Sequence, residues 1–144
     1  MEEIYQVYTD GSYQNGKAAW GFVVVLQPTN TMIYEESGIV EDKEAVAQIW
    51  NVAAEIEAAI KAIDWAVKNE KQIILISDYQ GIQGWADNWR TNNEWSAAYS
   101  FYAKKNKKFV KEFKFVKGHS KNQWNEYVDK LVFNELNKKE NKNG

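Results

Sequence analysis

The run QIILIS at residues 72–77 is apolar between its ends and follows directly on a long stretch of helical periodicity. Across 44–69 the residues Ile49, Val52, Ala53, Ile56, Ala59, Ile60, Ile63 and Val67 recur at the i, i+3, i+4, i+7 spacing that gives a helix one buried stripe. A short apolar run of this kind reads as a strand buried on both faces. A long helix leading into such a strand is the crossover that parallel strands require. The chain is therefore constrained to a sheet with at least one parallel pair and a helix packed across it.

The segments before the helix read as strands over 4–8, 19–26 and 32–40, rich in apolar, aromatic and β-branched residues. Gly11, Gly16 and the stretch 28–31 punctuate them, which predicts an antiparallel meander. After QIILIS the sequence predicts helices near 79–89 and 96–105, a strand near 113–116 and a last helix near 125–136. The order βββαβααβα gives an α/β fold with a five-stranded mixed sheet, three antiparallel strands followed by parallel ones, flanked by helices. We expect one domain over 1–144, with a polar tail from about 137 that trails off.

Composition narrows the functional classes. Hydrophobic residues make up 44% of the chain and there is one proline, so a folded core is expected. The chain has no cysteine, which excludes disulfides and thiolate-bound zinc. The start, MEEIYQVYTDG, lacks the basic-then-apolar pattern of a signal peptide, and no apolar stretch approaches a membrane span. The expectation is a soluble cytoplasmic protein. Its charge is uneven: residues 104–121 hold eight lysines against one acid, Glu112, in a chain whose total is −2. A basic contact surface beside an acidic site would produce this pattern, and so would a solvated lysine-rich face.

Four acids stand out by position. Asp10 ends the first predicted strand and Asp78 ends QIILIS, so parallel pairing would deliver both to the C-terminal edge of the sheet, where such sheets hold ligands. Glu55 lies in the long helix and Asp129 in the last one, each at the margin of an apolar stripe. Glu57 falls at the opposite margin from Glu55, so helical phase does not choose between them. Ionised carboxylates sharing a site need cations or protons to neutralise them, and oxygen-only ligands favour magnesium or manganese. Two such ions about 3.5–4 Å apart can activate water and stabilise a leaving oxygen in phosphodiester cleavage. Singly, each acid reads equally well as a cap, turn or ion-pair residue. The lone histidine, His119, lies in KGHSKNQWNEYVD on a loop before the last helix, where an imidazole could move protons near neutral pH.

The segments YTDGS (8–12), NVAAEIEAA (51–59), ISDYQGIQGW (76–85) and KGHSKNQWNEYVDKL (117–131) resemble, in order, the four acid-bearing motifs of the type 1 ribonuclease H family. The resemblance runs from about Tyr5 to Leu136 and is nearest to bacterial stand-alone domains or those joined to a hybrid-binding domain, which we expect this chain to lack. It implies an endonuclease that hydrolyses the RNA strand of RNA–DNA hybrids and leaves 5′-phosphate ends. Asp10, Glu55, Asp78 and Asp129 would bind two magnesium ions, with manganese as a substitute. Asp10 would bridge the ions, Glu55 would also touch the RNA, and the match of EIEAAI favours Glu55 over Glu57. His119 would assist proton transfer or product release.

Ser12, Asn51, Gln80, Trp89 and Asn125 stand at positions that resemble substrate contacts. Ser12 would act through the 2′-hydroxyls by which protein tells RNA from DNA, as would Asn51 and Gln80. Trp85 and Trp89 are four apart and read as core residues of one helix, or as aromatics against the DNA strand. Asn125 and Asp129 would share one helix face. Trp50, Asn51, Val52 depart from the Thr-Asn-Asn that some members use to pin a DNA phosphate, so the resemblance does not decide whether that pocket exists here. The segment 89–117 is shorter than in members with a basic protrusion, and Lys104 to Lys114 would supply that charge. The resemblance implies a monomer with no obligate protein partner; a non-catalytic binding module or another nuclease of the superfamily is the alternative. Hybrid affinity should fall steeply as salt displaces lysine–phosphate contacts; a titration without loss of affinity would contradict this.

Overall fold

A computed structural model describes residues 2–118 and 121–138. Strands β1 (Ile4–Gln14), β2 (Lys17–Gln27) and β3 (Thr31–Ile39) are followed by helices α1 (Lys43–Ile49) and α2 (Asn51–Lys68). Then come β4 (Ile73–Ser77), α3 (Gln80–Asp87), α4 (Glu94–Lys105), a 3-10 turn (Lys107–Phe109), β5 (Val110–Phe115) and α5 (Gln123–Leu136). The sheet order is β3-β2-β1-β4-β5. Pairing is antiparallel through β3, β2 and β1, and parallel from β1 to β4 to β5, as the crossover argument requires.

Side-chain alternation assigns the two faces. On β2, Ala18, Trp20, Phe22 and Val24 join Val7 of β1 beneath α2. Val23 and Val25 join Tyr8 and Ile76 against Val128 of α5, and Ala19 meets Val132. The face of α2 turned to the sheet is built largely from alanine, with Ala54, Ala58, Ala59, Ala62 and Ala66 fully buried. Small side chains let the helix axis lie close to the strands. At the opposite edge, β5 carries exposed Lys111, Glu112 and Lys114, charges that blunt an open strand edge. All eight lysines of 104–121 are exposed. Among the described residues no helix is long and apolar enough to cross a membrane.

Three expectations need correction. Asp10 does not end β1: the strand continues to Gln14, paired with β2, and only its pairing with β4 stops, at Thr9 opposite Ser77. Gly11 is therefore no turn residue. The turn is Asn15-Gly16, whose φ values of 52° and 80° make the tight hairpin that Asn-Gly favours.

The long helix is two helices. Trp50 breaks it at φ 48° and ψ −121°, bracketed by its own N–H donating to Val46 O and its carbonyl accepting from Ala53 N, each 3.1 Å. No glycine or proline marks the break. The left-handed φ costs a residue with a side chain about 1–3 kcal/mol. Trp89 lies beyond the end of α3 rather than on it, because its N–H caps Gly84 O at 2.9 Å and its ring folds back over Gly84. Trp85, by contrast, is buried and belongs to the core, packed on Gly81. The part of the polar tail from 139 onward lies outside the described residues.

Gly11 serves a close approach. A Cβ there would sit 2.4 Å from both Ala54 C and Glu55 N, atoms of the α2 backbone. Gly11→Ala should therefore lift α2 from β1 and destabilise the fold by about 2 kcal/mol or more. A lower denaturant midpoint with unchanged slope would show it; an unaltered midpoint would mean that α2 does not rest on β1 there.

Candidate active site

The site forms where β1 loses its parallel neighbour. β4 ends at Ser77, whose buried Oγ accepts the Tyr79 N–H at 3.0 Å and turns the chain at Asp78. Thr9 Oγ donates to Ile76 O at 3.2 Å and ties the two strand ends together. Asp10 is the next residue along β1, buried and on the α5 side of the sheet with Tyr8. From the other layer, α2 crosses Gly11 at the Ala54–Glu55 peptide and brings Glu55 to the same place.

Asp10, Glu55 and Asp78 each offer a carboxylate oxygen within 4.8 Å of the others. Asp10 and Glu55 are both 6% exposed, and Asp78 is half-buried at the mouth. The Gly11 N–H hydrogen-bonds to the Asp10 and Glu55 carboxylates. Asp129 stands outside this trio, exposed on α5, and its carboxyl hydrogen-bonds Asp10. Helix α5 comes close enough because Gly21, opposite Asp10 on β2, leaves room for Val132, which a Cβ would meet at 2.9 Å.

The geometry also chooses between the two glutamates of α2. Glu57 points away, partly exposed and 4.0 Å from Lys61. Four other expected site residues lie near the acids in sequence, on β1, α2, α3 and α5. Ser12 is half-buried two residues beyond Asp10 on the same side of β1, and Asn125 is buried one turn before Asp129 on α5. Asn51 and Gln80 are the exposed first residues of α2 and α3. Trp89 presents a ring 46% exposed over Gly84. His119 lies outside the described residues; Gly118, just before it, is beside Asp78, where a Cβ would be 3.6 Å from Oδ2. The loop leaves β5 through a Val116 N–H bond to Ser77 O at 2.9 Å.

Gly11 was not singled out as a site residue from the sequence. Its signal, an Asp-Gly pair inside alternating apolar residues, is shared with ordinary turns. Only the crossing of α2 shows that position 11 needs both a bare Cα and a free N–H.

Packing carboxylates together out of water disfavours their charge. Burial first, then the hydrogen bond with Asp129 and the charges of Asp78 and Asp129, pushes Asp10 up to about 9 against the pull of the Gly11 N–H. Burial first, then the charges of Asp10 and Asp78, raises Glu55 well above the usual carboxyl range. Glu55 Oε1 is buried with no hydrogen-bond partner among the described residues. A buried, orphaned oxygen on one of three clustered carboxylates fits a hard divalent cation, for which carboxylate oxygens are the ordinary ligands.

The chain matches the family model for RNase H over residues 2–137. A ribonuclease H of Clostridium botulinum is 31% identical, with 88% of this chain and 91% of that protein covered. In fold the chain is similar to ribonuclease H1 of the halophilic archaeon Halobacterium salinarum, at TM-score 0.72 and 21% identity over 92% of this chain and 97% of that one. It is similar too to LC11 ribonuclease H1, isolated from compost and solved in complex with an RNA/DNA hybrid, at TM-score 0.68 and 14% identity over 92% and 99% of the two chains.

The raised carboxyls set a pH dependence. The folded chain keeps protons that the unfolded chain gives up near pH 4, so this contribution is complete below about pH 4 and is lost as pH rises through about 9 for Asp10. Without divalent metal, Asp10→Asn should therefore raise the melting temperature by several degrees at alkaline pH and little in acid. Millimolar magnesium should narrow the gap by stabilising the parent chain. Equal melting temperatures of parent and variant across the range would exclude a repulsive cluster.

Proposed function

The chain belongs to the ribonuclease H family, and on that premise we propose that it is a metal-dependent endonuclease that hydrolyses the RNA strand of RNA–DNA hybrids. The observation that carries this reading is the convergence of Asp10, Glu55 and Asp78 beside the end of β4, with one buried oxygen of Glu55, Oε1, orphaned. Asp10, Glu55, Asp78 and Asp129 would hold two divalent cations, magnesium or manganese. Such ions supply a water acidified for attack and positive charge for the leaving oxygen.

The protein's own groups do the positioning. The Gly11 N–H fixes the Asp10 and Glu55 carboxylates, and the Ser77 turn aims Asp78 into the same space. Asp129, exposed and hydrogen-bonded to Asp10, is the acid freest to adjust as substrate and product exchange. Water attacks phosphorus, the P–O3′ bond breaks and the 3′-oxygen takes a proton, leaving 5′-phosphate and 3′-hydroxyl ends. His119, which follows Gly118 in the sequence, would carry that proton or ease product release.

Ser12, Asn51, Gln80 and Asn125 would serve as hydrogen-bonding groups for the RNA sugar-phosphate chain, and the half-exposed Trp89 ring would lie against the DNA strand. The hybrid recorded with LC11 ribonuclease H1 supports the substrate class. All four acids come from one chain, so a monomer suffices without a protein partner, in the cytoplasm where hybrids arise.

Incubation of an end-labelled hybrid with magnesium, manganese or EDTA tests the reading. Only the RNA strand should be cut, with metal and with 5′-phosphate products, and Asp10→Asn should lower the rate by roughly a thousandfold or more. Products ending in a 2′,3′-cyclic phosphate would mean that the 2′-hydroxyl attacks. Binding without cutting under any metal would make the chain a binding module.

A further inference from the structure

On the α2 side of the sheet, a groove of about 490 Å³ opens between the end of the β1–β2 hairpin and α1. Tyr13, Lys17 and Ala18 form one wall, and Lys43, Val46 and Trp50 the other. Trp50 is 55% exposed and Tyr13 37%, so two aromatic rings face solvent within a few residues of the site. Tyr13 is three residues beyond Asp10 and on the same side of β1 as Gly11, while Trp50 immediately precedes Asn51 at the start of α2. The groove thus draws Tyr13 from β1, the element that carries Asp10, and Trp50 from the residue before α2, the element that carries Glu55.

Folding does not account for Trp50. The helix break needs a left-handed φ, which glycine or asparagine adopts at less cost than tryptophan. The backbone bonds that fix the break come from main-chain atoms of residues 46, 50 and 53, not from the indole. The chain therefore keeps its largest side chain in water at a strained position, where a small residue would fold as well. Among the described residues that line the groove, none is acidic, and Lys17 and Lys43 supply positive charge.

Aromatic faces with flanking lysines are the means by which proteins hold single-stranded nucleic acid, the rings stacking on bases and the ammonium groups meeting phosphates. A base inside a duplex is covered on both faces by its neighbours and cannot stack on a protein ring. We propose that the Trp50–Tyr13 groove binds an unpaired nucleotide of a single-stranded segment running off the hybrid, so that the protein prefers tailed hybrids to blunt ones. The proposal rests on the hybrid-binding reading and adds a substrate preference to it.

The test is fluorescence anisotropy in EDTA, where cleavage does not intervene, with a labelled blunt hybrid and the same hybrid carrying a single-stranded DNA or RNA tail. The parent protein should bind one tailed hybrid roughly tenfold more tightly than the blunt one, and Trp50→Gly should abolish that advantage while leaving blunt affinity within about twofold. Trp50→Phe should restore most of it. Glycine suits the left-handed φ, so Trp50→Gly should melt no lower than the parent. Equal affinity of the parent for all hybrids, or a Trp50→Gly loss shared by blunt and tailed forms, would overturn the groove proposal. Failure of the parent to bind any hybrid, in EDTA and with divalent metal alike, would overturn the hybrid reading as well.

Discussion

Glu55 is carried by a helix whose backbone can rest on the sheet only where the sheet has no side chain. With Gly11 at that point, the α2 backbone rests on β1 and its carboxylate arrives beside Asp10. The alanine face of α2 keeps the same close spacing along the rest of the contact. Gly21 does the corresponding work on the opposite face, where α5 brings Asp129 within hydrogen-bonding reach of Asp10. Two bare positions on adjacent strands thus allow two helices to aim acids at one strand end from opposite sides of the sheet.

That convergence is costly to the protein alone. Burial and mutual repulsion raise Asp10 and Glu55, and one buried oxygen of Glu55 lacks a partner among the described residues. Such a site is stable only when something positive enters it. The cost is met by the core on either side, where alternating residues of β1 and β2 are buried against α2 and α5. The carboxylates gather where β1 runs on past Thr9 without β4 as its neighbour.

The sheet was readable in the sequence because period-two and period-3.6 patterns are local. QIILIS, the three strand runs and the stripe of the long helix each announced their type, and topology followed from the crossover. Asp10 and Asp78 were legible for the same reason, as residues at the ends of apolar runs. What the sequence concealed depends on contacts between distant segments. Gly11 looked like a turn because Asp-Gly is a turn pair, and only α2 passing over it reveals otherwise. The break at Trp50 has no breaker residue, so periodicity ran straight through it. Glu55 and Glu57 were equivalent by helical phase until the break and the glycine fixed how α2 lies on the sheet. Trp89 followed Trp85 at helical spacing, yet α3 stops at Asp87 and the ring returns over Gly84.

On this reading Asp10, Glu55 and Asp78 form a cation site. The most direct measurement is anomalous scattering from crystals grown with manganese and a hybrid that resists hydrolysis. The account predicts a manganese peak in contact with all three carboxylates, Glu55 Oε1 among its ligands. A hybrid seated over the site with no peak there, and Glu55 protonated against a neighbouring carboxyl, would contradict it.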